Sequence, residues 1–198
     1  MKLDVLSVFR KSSCNSAVNW GIIMNIELEK IRGIKDALAI FVATAGGAGF
    51  IPKAPGTAGA AVAVPLAFYS AGWTTESRAL LWVGLTAIGA WSARMIDEIM
   101  GSSDNQSIVI DEVVGLGITA WTAGTDLKAL LVAFVLFRFF DVVKLPPVRA
   151  LDHWSKKKAL ESGSASKWWG GFGVIGDDIL AGFQGLAVMV LLQYYGIL

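Results

Sequence analysis

The sequence has little charge and very few residues of two reactive types. Charged residues make up 17% of its 198 positions, whereas soluble domains carry about 25%. The formal net charge is +1, which excludes the strong basic excess typical of nucleic-acid-binding proteins. Cys14 is the only cysteine, so an intramolecular disulfide is excluded. His153 is the only histidine, and we expect such a lone residue to lie at an interface and not to act in catalysis.

Apolar residues occupy most of the positions that charge leaves free. Hydrophobic residues make up 55% of the chain, with eight tryptophans and 22 glycines, and both of these residue types are common in and around membrane-spanning helices. The uncharged stretches are too long for strands and lack regular polar alternation, so they favour helices. They are Ala37–Pro52, Ala54–Thr75, Ala79–Ala93, Val113–Thr125, Ala129–Phe137 and Ile179–Leu198. A spanning helix needs about 20 residues, and Ala54–Thr75 and Ile179–Leu198 reach that length.

This pattern predicts an all-α protein, a single membrane-associated helical bundle of about five or six helices with short loops. A soluble bundle with an unusually apolar core is the alternative. We expect residues 1–35 to form a polar N-terminal extension and residues 36–198 to form the helical domain. Residues 155–169 are polar and basic and indicate a loop, and the glycines of Gly170–Gly176 are typical of a break before the last helix.

The distribution of basic residues favours one orientation in a membrane. Suppose that Ala54–Thr75 crosses outward from the cytoplasmic side and that the later apolar runs alternate in direction. Only Arg78 and Lys128 then lie outside, as the positive-inside rule requires. The same arrangement places the remaining charge clusters at helix ends on the cytoplasmic face, which is where lipid headgroups lie.

A candidate anion site lies in the segment Pro52–Gly59, in which prolines and glycines surround Lys53. Glycine permits close backbone approach, and Thr57 is a reasonable N-cap for the helix that follows. Free backbone N–H groups at the start of a helix bind anions. Lys53, Gly56 and Thr57 are therefore predicted to bind phosphate, and an ordinary loop leading into a helix is the alternative.

Two pairs of adjacent carboxylates adjoin apolar runs, Asp111 with Glu112 and Asp177 with Asp178. Charges in an apolar setting are costly. A divalent cation offsets that cost, and Mg²⁺ prefers oxygen ligands. The pattern therefore indicates a metal site, although each pair could instead stabilise a helix N-terminus through the helix dipole.

A third cluster follows an apolar run, with Arg138, Asp141 and Lys144 spaced three residues apart. This spacing places them on one side of a helix. They suit a metal or phosphate site, and a ladder of ion pairs is the alternative interpretation.

Taken together, the clusters indicate phosphate chemistry, because carboxylates that hold Mg²⁺ beside Lys and Arg that hold phosphate recur in phosphoryl-transfer sites. Other routes to phosphate hydrolysis lack their residues. Cys14 is followed six positions later by Trp20 instead of Arg, a second histidine is missing, and there is no Asp-x-Asp-x-Thr run. A reaction that depends on metal and carboxylate remains.

Four segments of the chain together resemble the phosphatidylglycerophosphatase A family, and the similarity extends from about Ala39 to the C-terminus. One departure from the family lies just before Ser107, where Asn105-Gln106 replace the His-Gly that members often have. The segments occur in the family's order: Gly49-Phe-Ile-Pro-Lys-Ala-Pro-Gly-Thr-Ala-Gly59, Ser107-Ile-Val-Ile-Asp-Glu-Val-Val-Gly115, Phe137-Arg-Phe-Phe-Asp-Val-Val-Lys144 with Pro147-Val-Arg149 and Asp152, and Gly171-Phe-Gly-Val-Ile-Gly-Asp-Asp-Ile-Leu-Ala-Gly182.

The resemblance implies hydrolysis of phosphatidylglycerophosphate to phosphatidylglycerol and phosphate, with Mg²⁺, at the bacterial inner membrane. The distribution of basic residues places the expected active site on the cytoplasmic face. The expected partners are this phospholipid and the membrane; nucleic acid is not expected, and the oligomeric state is open. The expected catalytic and metal-binding residues are Asp111, Glu112, Asp141, Asp177 and Asp178. The expected phosphate-binding residues are Lys53, Gly56, Thr57, Arg138 and Lys144.

Two questions of mechanism and function stay open at the level of sequence. Attack by an activated water and an aspartyl-phosphate intermediate are both compatible with these residues. A membrane transporter or channel subunit and a non-catalytic membrane scaffold are the alternative functions. The clustering of charge at helix ends, and not at mid-membrane depth, disfavours the transporter.

Overall fold

All regular structure in the described part of the chain is helical. The computed structural model describes residue 31 and residues 33–100, 105–146 and 166–198, and for Met100 and residues 166–174 the backbone alone. Within these ranges there is no strand, which confirms the predicted all-α bundle. The α-helices are α1 (Ile34–Ala43), α2 (Pro55–Ser70), α3 (Thr75–Met100), α4 (Ile110–Thr119), α5 (Leu127–Val143) and α6 (Ser166–Tyr194). Short 3₁₀ turns follow α1 and α4, at Ala48–Phe50 and Ala120–Thr122.

Helix α2 is shorter than the predicted run Ala54–Thr75, of which only the last residue, Thr75, belongs to α3. Helix α2 ends at Ser70. The hydroxyl of Thr74 accepts a hydrogen bond from the backbone N–H of Ser77 at 3.3 Å, so it caps the start of α3. The turn between the two helices contains Gly72, a residue type that is typical of a break between apolar runs.

Two helices of the described part are long and apolar enough to cross a membrane, judged by length and composition. They comprise Thr75–Ile99 of α3 and Ile175–Tyr194 of α6. The second agrees with the predicted Ile179–Leu198 span. The first contains the predicted run Ala79–Ala93, which α3 extends at both ends. Helix α2 has 16 residues, fewer than the roughly 20 that a span needs.

The prediction of a loop and a glycine-rich break before the last helix is wrong from Ser166 onward. Helix α6 begins at Ser166 and continues through Gly170–Gly176, while residues 155–165 lie outside the described residues. Glycine costs about 1 kcal/mol in a helix interior. An unpaired backbone group in an apolar setting costs several kcal/mol, so the helix continues through the glycines.

Helix α4 lies at the centre of the bundle, and eight of its ten residues are buried. It packs against α6 through one glycine from each helix, Gly115 of α4 and Gly182 of α6. A Cβ on Gly182 would lie 2.6 Å from the carbonyl oxygen of Gly115, and a Cβ on Gly115 would lie 2.8 Å from the carbonyl oxygen of Asp178. The hydroxyl of Thr119 donates to the Gly182 carbonyl at 3.1 Å. Such close approach of two backbones is typical of small residues at membrane helix interfaces.

The two ends of the bundle carry different chemistry. At one end, Arg78 donates to the Trp121 carbonyl at 2.7 Å, and its guanidinium lies 4.4 Å from the centroid of the Trp121 ring. Lys128 donates to the Ile197 carbonyl at the same end, at 3.2 Å. Arg78 and Lys128 are the two basic residues that the orientation prediction separated from the others, and the acidic clusters lie at the opposite end.

Candidate active site

Three carboxylates from two helices meet where α4 begins. Asp111 and Glu112 belong to the first turn of α4, and Asp178 lies well inside α6. One carboxylate oxygen of each residue lies within 4.8 Å of those of the other two, close enough for the three to hold one metal ion. Asp111 and Asp178 are only 8% and 5% exposed. Since Asp178 is far from a helix N-terminus, the dipole interpretation of the second acidic pair is wrong.

The glycine contact between α4 and α6 explains why these carboxylates meet. Asp111 precedes Gly115 by four residues, and Asp178 precedes Gly182 by four residues. Residues four apart lie on the same face of a helix. The tight Gly115–Gly182 crossing therefore places Asp111 and Asp178 opposite each other about one turn away.

Burial and mutual repulsion disfavour the charged forms of the two α4 carboxyls. Burial raises the pKa of Asp111 well above its ordinary value, and the negative charges of Glu112 and Asp178 raise it further. Burial also raises the pKa of Glu112, repulsion from Asp141 adds to the effect, and the positive charge of Arg138 opposes it. A bound cation would relieve the repulsion that both carboxyls experience.

Two cations flank the carboxylate cluster, each held by an acidic partner. Arg138 Nη1 lies 2.6 Å from Asp141 Oδ2 and 4.0 Å from Glu112 Oε1. Lys144 Nζ lies 2.7 Å from Asp177 Oδ2. The predicted stripe on α5 therefore does form an ion pair between Arg138 and Asp141, but Lys144 turns to α6 and pairs with Asp177.

Lys144 also has an unusual backbone conformation. It is the C-cap of α5, with a left-handed φ of 45°, where glycine or asparagine is common. Lys53 likewise has a positive φ, of 76°. Left-handed conformations are unfavourable for residues with a Cβ, and when they occur they are concentrated at functional sites.

The N-terminus of α2 closes the site from another side. Gly56 is buried against the carboxylate of Glu112, and a Cβ there would also lie 3.1 Å from Arg138 Nη1. Lys53 and Thr57 are exposed beside it. The N-cap of α2 is Ala54, without a side-chain cap, so the predicted N-cap role of Thr57 is wrong. No side chain of the described residues therefore caps the first N–H groups of α2.

A pocket of about 210 Å³ opens beside the α4 carboxylates. It is lined by Pro55, Gly56, Asn105, Gln106, Ile108, Asp111 and Glu112. The pocket brings together two stretches that are distant in sequence, Pro55–Gly56 and residues 105–112, and it gives solvent and ligands access to Asp111 and Glu112.

The sequence profile of the phosphatidylglycerophosphatase A family matches residues 41–193. This stretch contains every residue of the site described above. The chain belongs to the phosphatidylglycerophosphatase A family. It is therefore a phosphatase, and its apolar helices are those of a membrane protein.

Individual relatives align with most of this chain. The chain is 32% identical over 151 residues to phosphatidylglycerophosphatase A of Haemophilus influenzae, and the alignment spans 75% of this chain and 85% of the relative. It is 28% identical over 150 residues to the Escherichia coli K12 protein of that name, spanning 75% and 80%. A Bacteroides thetaiotaomicron protein with the provisional name phosphatidylinositol-3-phosphatase is 31% identical over 168 residues, spanning 79% and 94%. No solved structure matches the chain significantly.

The donor set of this family member fits a divalent cation such as Mg²⁺. Its three clustered groups are all carboxylates, the ligand type that Mg²⁺ prefers. In addition, Glu112 Oε2 is buried and has no hydrogen-bond partner among the described residues. A buried charged oxygen without a partner is costly, and a cation bound by the cluster would give it one.

Sequence reasoning found the charged members of the site and Gly56, but it missed the glycines that bring α4 and α6 together. Gly56 was predicted as an anion-binding residue, and the structure shows that it also leaves space for Glu112. The close crossing of Gly115 and Gly182 was not predicted. A glycine four residues after an acidic residue, present in both segments, was the available signal.

Substitution of Gly56 by alanine is expected to reduce activity about tenfold to a hundredfold without unfolding the protein. The added Cβ collides with the end of the Glu112 side chain, which can move, but the carboxylate is then displaced, and misplacement by about 1 Å can cost about a hundredfold in rate. Phosphate release and thermal unfolding in detergent provide the measurements. Gly72→Ala is the control, because a Cβ at Gly72 meets nothing within 4 Å. Full activity of Gly56→Ala would contradict the prediction.

Proposed function

We propose that this protein removes the terminal phosphate of phosphatidylglycerophosphate in a Mg²⁺-dependent reaction, giving phosphatidylglycerol and inorganic phosphate. The observation that carries the proposal is the meeting of Asp111, Glu112 and Asp178 within 4.8 Å. They lie beside Arg138 and Lys144, at one end of an apolar helical bundle of this family. Carboxylates for a metal ion and cations for a phosphate are the parts that phosphoryl transfer requires.

Asp111, Glu112 and Asp178 are the residues that would hold Mg²⁺. When bound, Mg²⁺ neutralises charge on the phosphate oxygens and makes water more acidic. The three carboxylates come from rigid helices, so their geometry is set before the substrate binds. Asp141 and Asp177 lie next to the cluster in ion pairs, and their direct ligation of metal stays a prediction.

Arg138 and Lys144 are the groups that would bind the transferred phosphate. Their ion pairs with Asp141 and Asp177 hold them beside the carboxylate cluster, and arginine in particular suits the geometry of phosphate oxygens. The uncapped N–H groups of α2 at Gly56 and Thr57, with the exposed Lys53, would add to the attraction for the anion.

The site lies at an end of the bundle, which suits a lipid headgroup at a membrane surface. With α3 and α6 crossing the bilayer, Arg78 and Lys128 lie at the opposite end from the site. The positive-inside rule then favours a cytoplasmic location for the site, and we assign the protein to a bacterial inner membrane with its active site on the cytoplasmic face.

Removal of Mg²⁺ is expected to reduce phosphate release from phosphatidylglycerophosphate at least about a hundredfold, because the metal supplies several kcal/mol to the transition state. The experiment measures inorganic phosphate from the purified protein in mixed micelles, first in EDTA and then after Mg²⁺ is restored. Release that is unchanged in EDTA would refute the metal requirement.

Substrate identity is tested by a separate arm of the same assay. Phosphatidylinositol 3-phosphate is compared with phosphatidylglycerophosphate, because one relative bears the name of an inositol-lipid phosphatase. Faster hydrolysis of the inositol lipid would replace the proposed substrate and leave the site assignment intact.

A further inference from the structure

The two sides of the carboxylate cluster differ in charge. Arg138 lies on one side, with its Nη1 4.0 Å from Glu112 Oε1. The pocket adjoins this side at Gly56, where a Cβ would lie 3.1 Å from Arg138 Nη1, and none of the described residues that line the pocket is basic. Its polar side chains, apart from the two carboxylates, are the carboxamides of Asn105 and Gln106. A phosphate group is therefore favoured at the edge next to Arg138 and Gly56, and an uncharged polar group is favoured at the edge formed by Asn105 and Gln106.

A tight turn holds Gln106 at the edge of this pocket. The N–H of Ile108 donates to the Asn105 carbonyl at 2.9 Å, and the N–H of Ser107 donates to Asn105 Oδ1 at 3.0 Å. Beyond the turn, the N–H of Val109 donates to the carbonyl of Ala43 at 2.8 Å. Gln106 occupies the second position of a turn that is braced internally and anchored to α1.

The two carboxamides of the turn therefore have different roles. Asn105 is buried, and its oxygen is engaged in the turn. Gln106 is exposed, and within the described residues its side chain makes no hydrogen bond. A carboxamide offers both donors and an acceptor, which is the combination that recognises a hydroxyl group.

We propose that Gln106 is a specificity-determining residue that hydrogen-bonds a hydroxyl of the polyol linking the transferred phosphate to the lipid. The inference rests on the proposed function, because it assumes a phosphate on the Arg138 side of the carboxylates. The rest of the headgroup then extends into the pocket. An uncharged hydroxyl suits a site beside Asp111 and Glu112, whereas the negative phosphodiester would be repelled from it.

The test compares two substrates that differ by one hydroxyl. One is phosphatidylglycerophosphate, and the other is its analogue with propane-1,3-diol in place of the headgroup glycerol. Wild-type kcat/KM is expected to be about two- to tenfold higher for the hydroxylated substrate, the effect of one uncharged hydrogen bond. Gln106→Met, which keeps the length of the side chain but removes its polar group, is expected to lower kcat/KM for that substrate to the value for the analogue. The value for the analogue should not change.

The other outcomes separate this inference from the proposed function. Equal wild-type rates on the two substrates, or an equal loss on both in Gln106→Met, would overturn the role of Gln106 and leave the phosphatase assignment intact. If Gln106→Met kept the wild-type preference for the hydroxylated substrate, the role of Gln106 would also be overturned and the phosphatase assignment would stand. Failure of the wild-type protein to hydrolyse either substrate would instead overturn the proposed function, together with the inference that rests on it.

Discussion

Replacement of Asp111 by asparagine is expected to lower kcat/KM at least about a hundredfold while the protein becomes more stable without metal. The loss follows from removing one of the three clustered carboxylates, since metal stabilisation of the transition state amounts to several kcal/mol. The gain in stability follows because burial and the charges of Glu112 and Asp178 raise the pKa of Asp111, so the charged carboxylate destabilises the folded protein. An uncharged side chain of the same shape removes this repulsion. Phosphate release with Mg²⁺ and melting temperature in EDTA are the two measurements.

The pH dependence of the gain in stability has a definite sign. Because the pKa of Asp111 is raised in the folded protein, the cost of burying it is absent below the ordinary aspartate pKa. The cost develops as the pH rises from that value towards the raised one. The advantage of Asp111→Asn should therefore be largest at neutral pH and disappear in acid.

Asp126→Asn provides the matched control for Asp111→Asn. Asp126 caps the start of α5 at the opposite end of the bundle, where its Oδ1 accepts from the Lys128 N–H at 2.8 Å, and asparagine caps about as well. Activity and melting temperature should both stay near those of the wild type. Retention of activity by Asp111→Asn would show that the carboxylate cluster is not the centre of the chemistry.

Replacement of Gly182 by alanine is expected to disrupt the site from a distance. The new Cβ would lie 2.6 Å from the Gly115 carbonyl oxygen and 3.2 Å from its Cα. Both are backbone atoms, so α4 and α6 must separate. Overpacking of this kind costs about 1–3 kcal/mol, and displacement of Asp178 from Asp111 by about 1 Å can reduce the rate about a hundredfold. Melting temperature and kcat/KM should therefore fall together.

Gly84→Ala is the control for Gly182→Ala, because both glycines lie inside apolar helices and a Cβ at Gly84 meets nothing within 4 Å. Its stability should be unchanged or raised by up to about 1 kcal/mol, the difference in helix propensity. If Gly182→Ala behaved like Gly84→Ala, the close approach of α4 and α6 would not be what positions the carboxylates.

The helical class of the protein could be predicted better than the boundaries of its helices. Long uncharged runs predicted the helical class correctly, because burial of apolar surface is encoded in the composition of each segment. Helix boundaries were less predictable. Helix α2 ends at Ser70, inside an uncharged run, and Thr74 caps the next helix through a single hydrogen bond. Gly170–Gly176 is helical although glycine has a weak helix propensity. In both places the hydrogen bonding of backbone groups outweighs the average preference of the segment.

The sequence by itself determined that the chain is an apolar helical protein with acidic and basic residues at the ends of its apolar runs. Only the tertiary structure decided that Asp111, Glu112 and Asp178 share one cluster, while Asp177, the neighbour of Asp178, pairs with Lys144 instead. Adjacent residues on a helix point in different directions, and their partners come from segments distant in the chain. The distance between those segments is set by the glycine contact between α4 and α6, which depends on backbone packing and not on the charge of any residue.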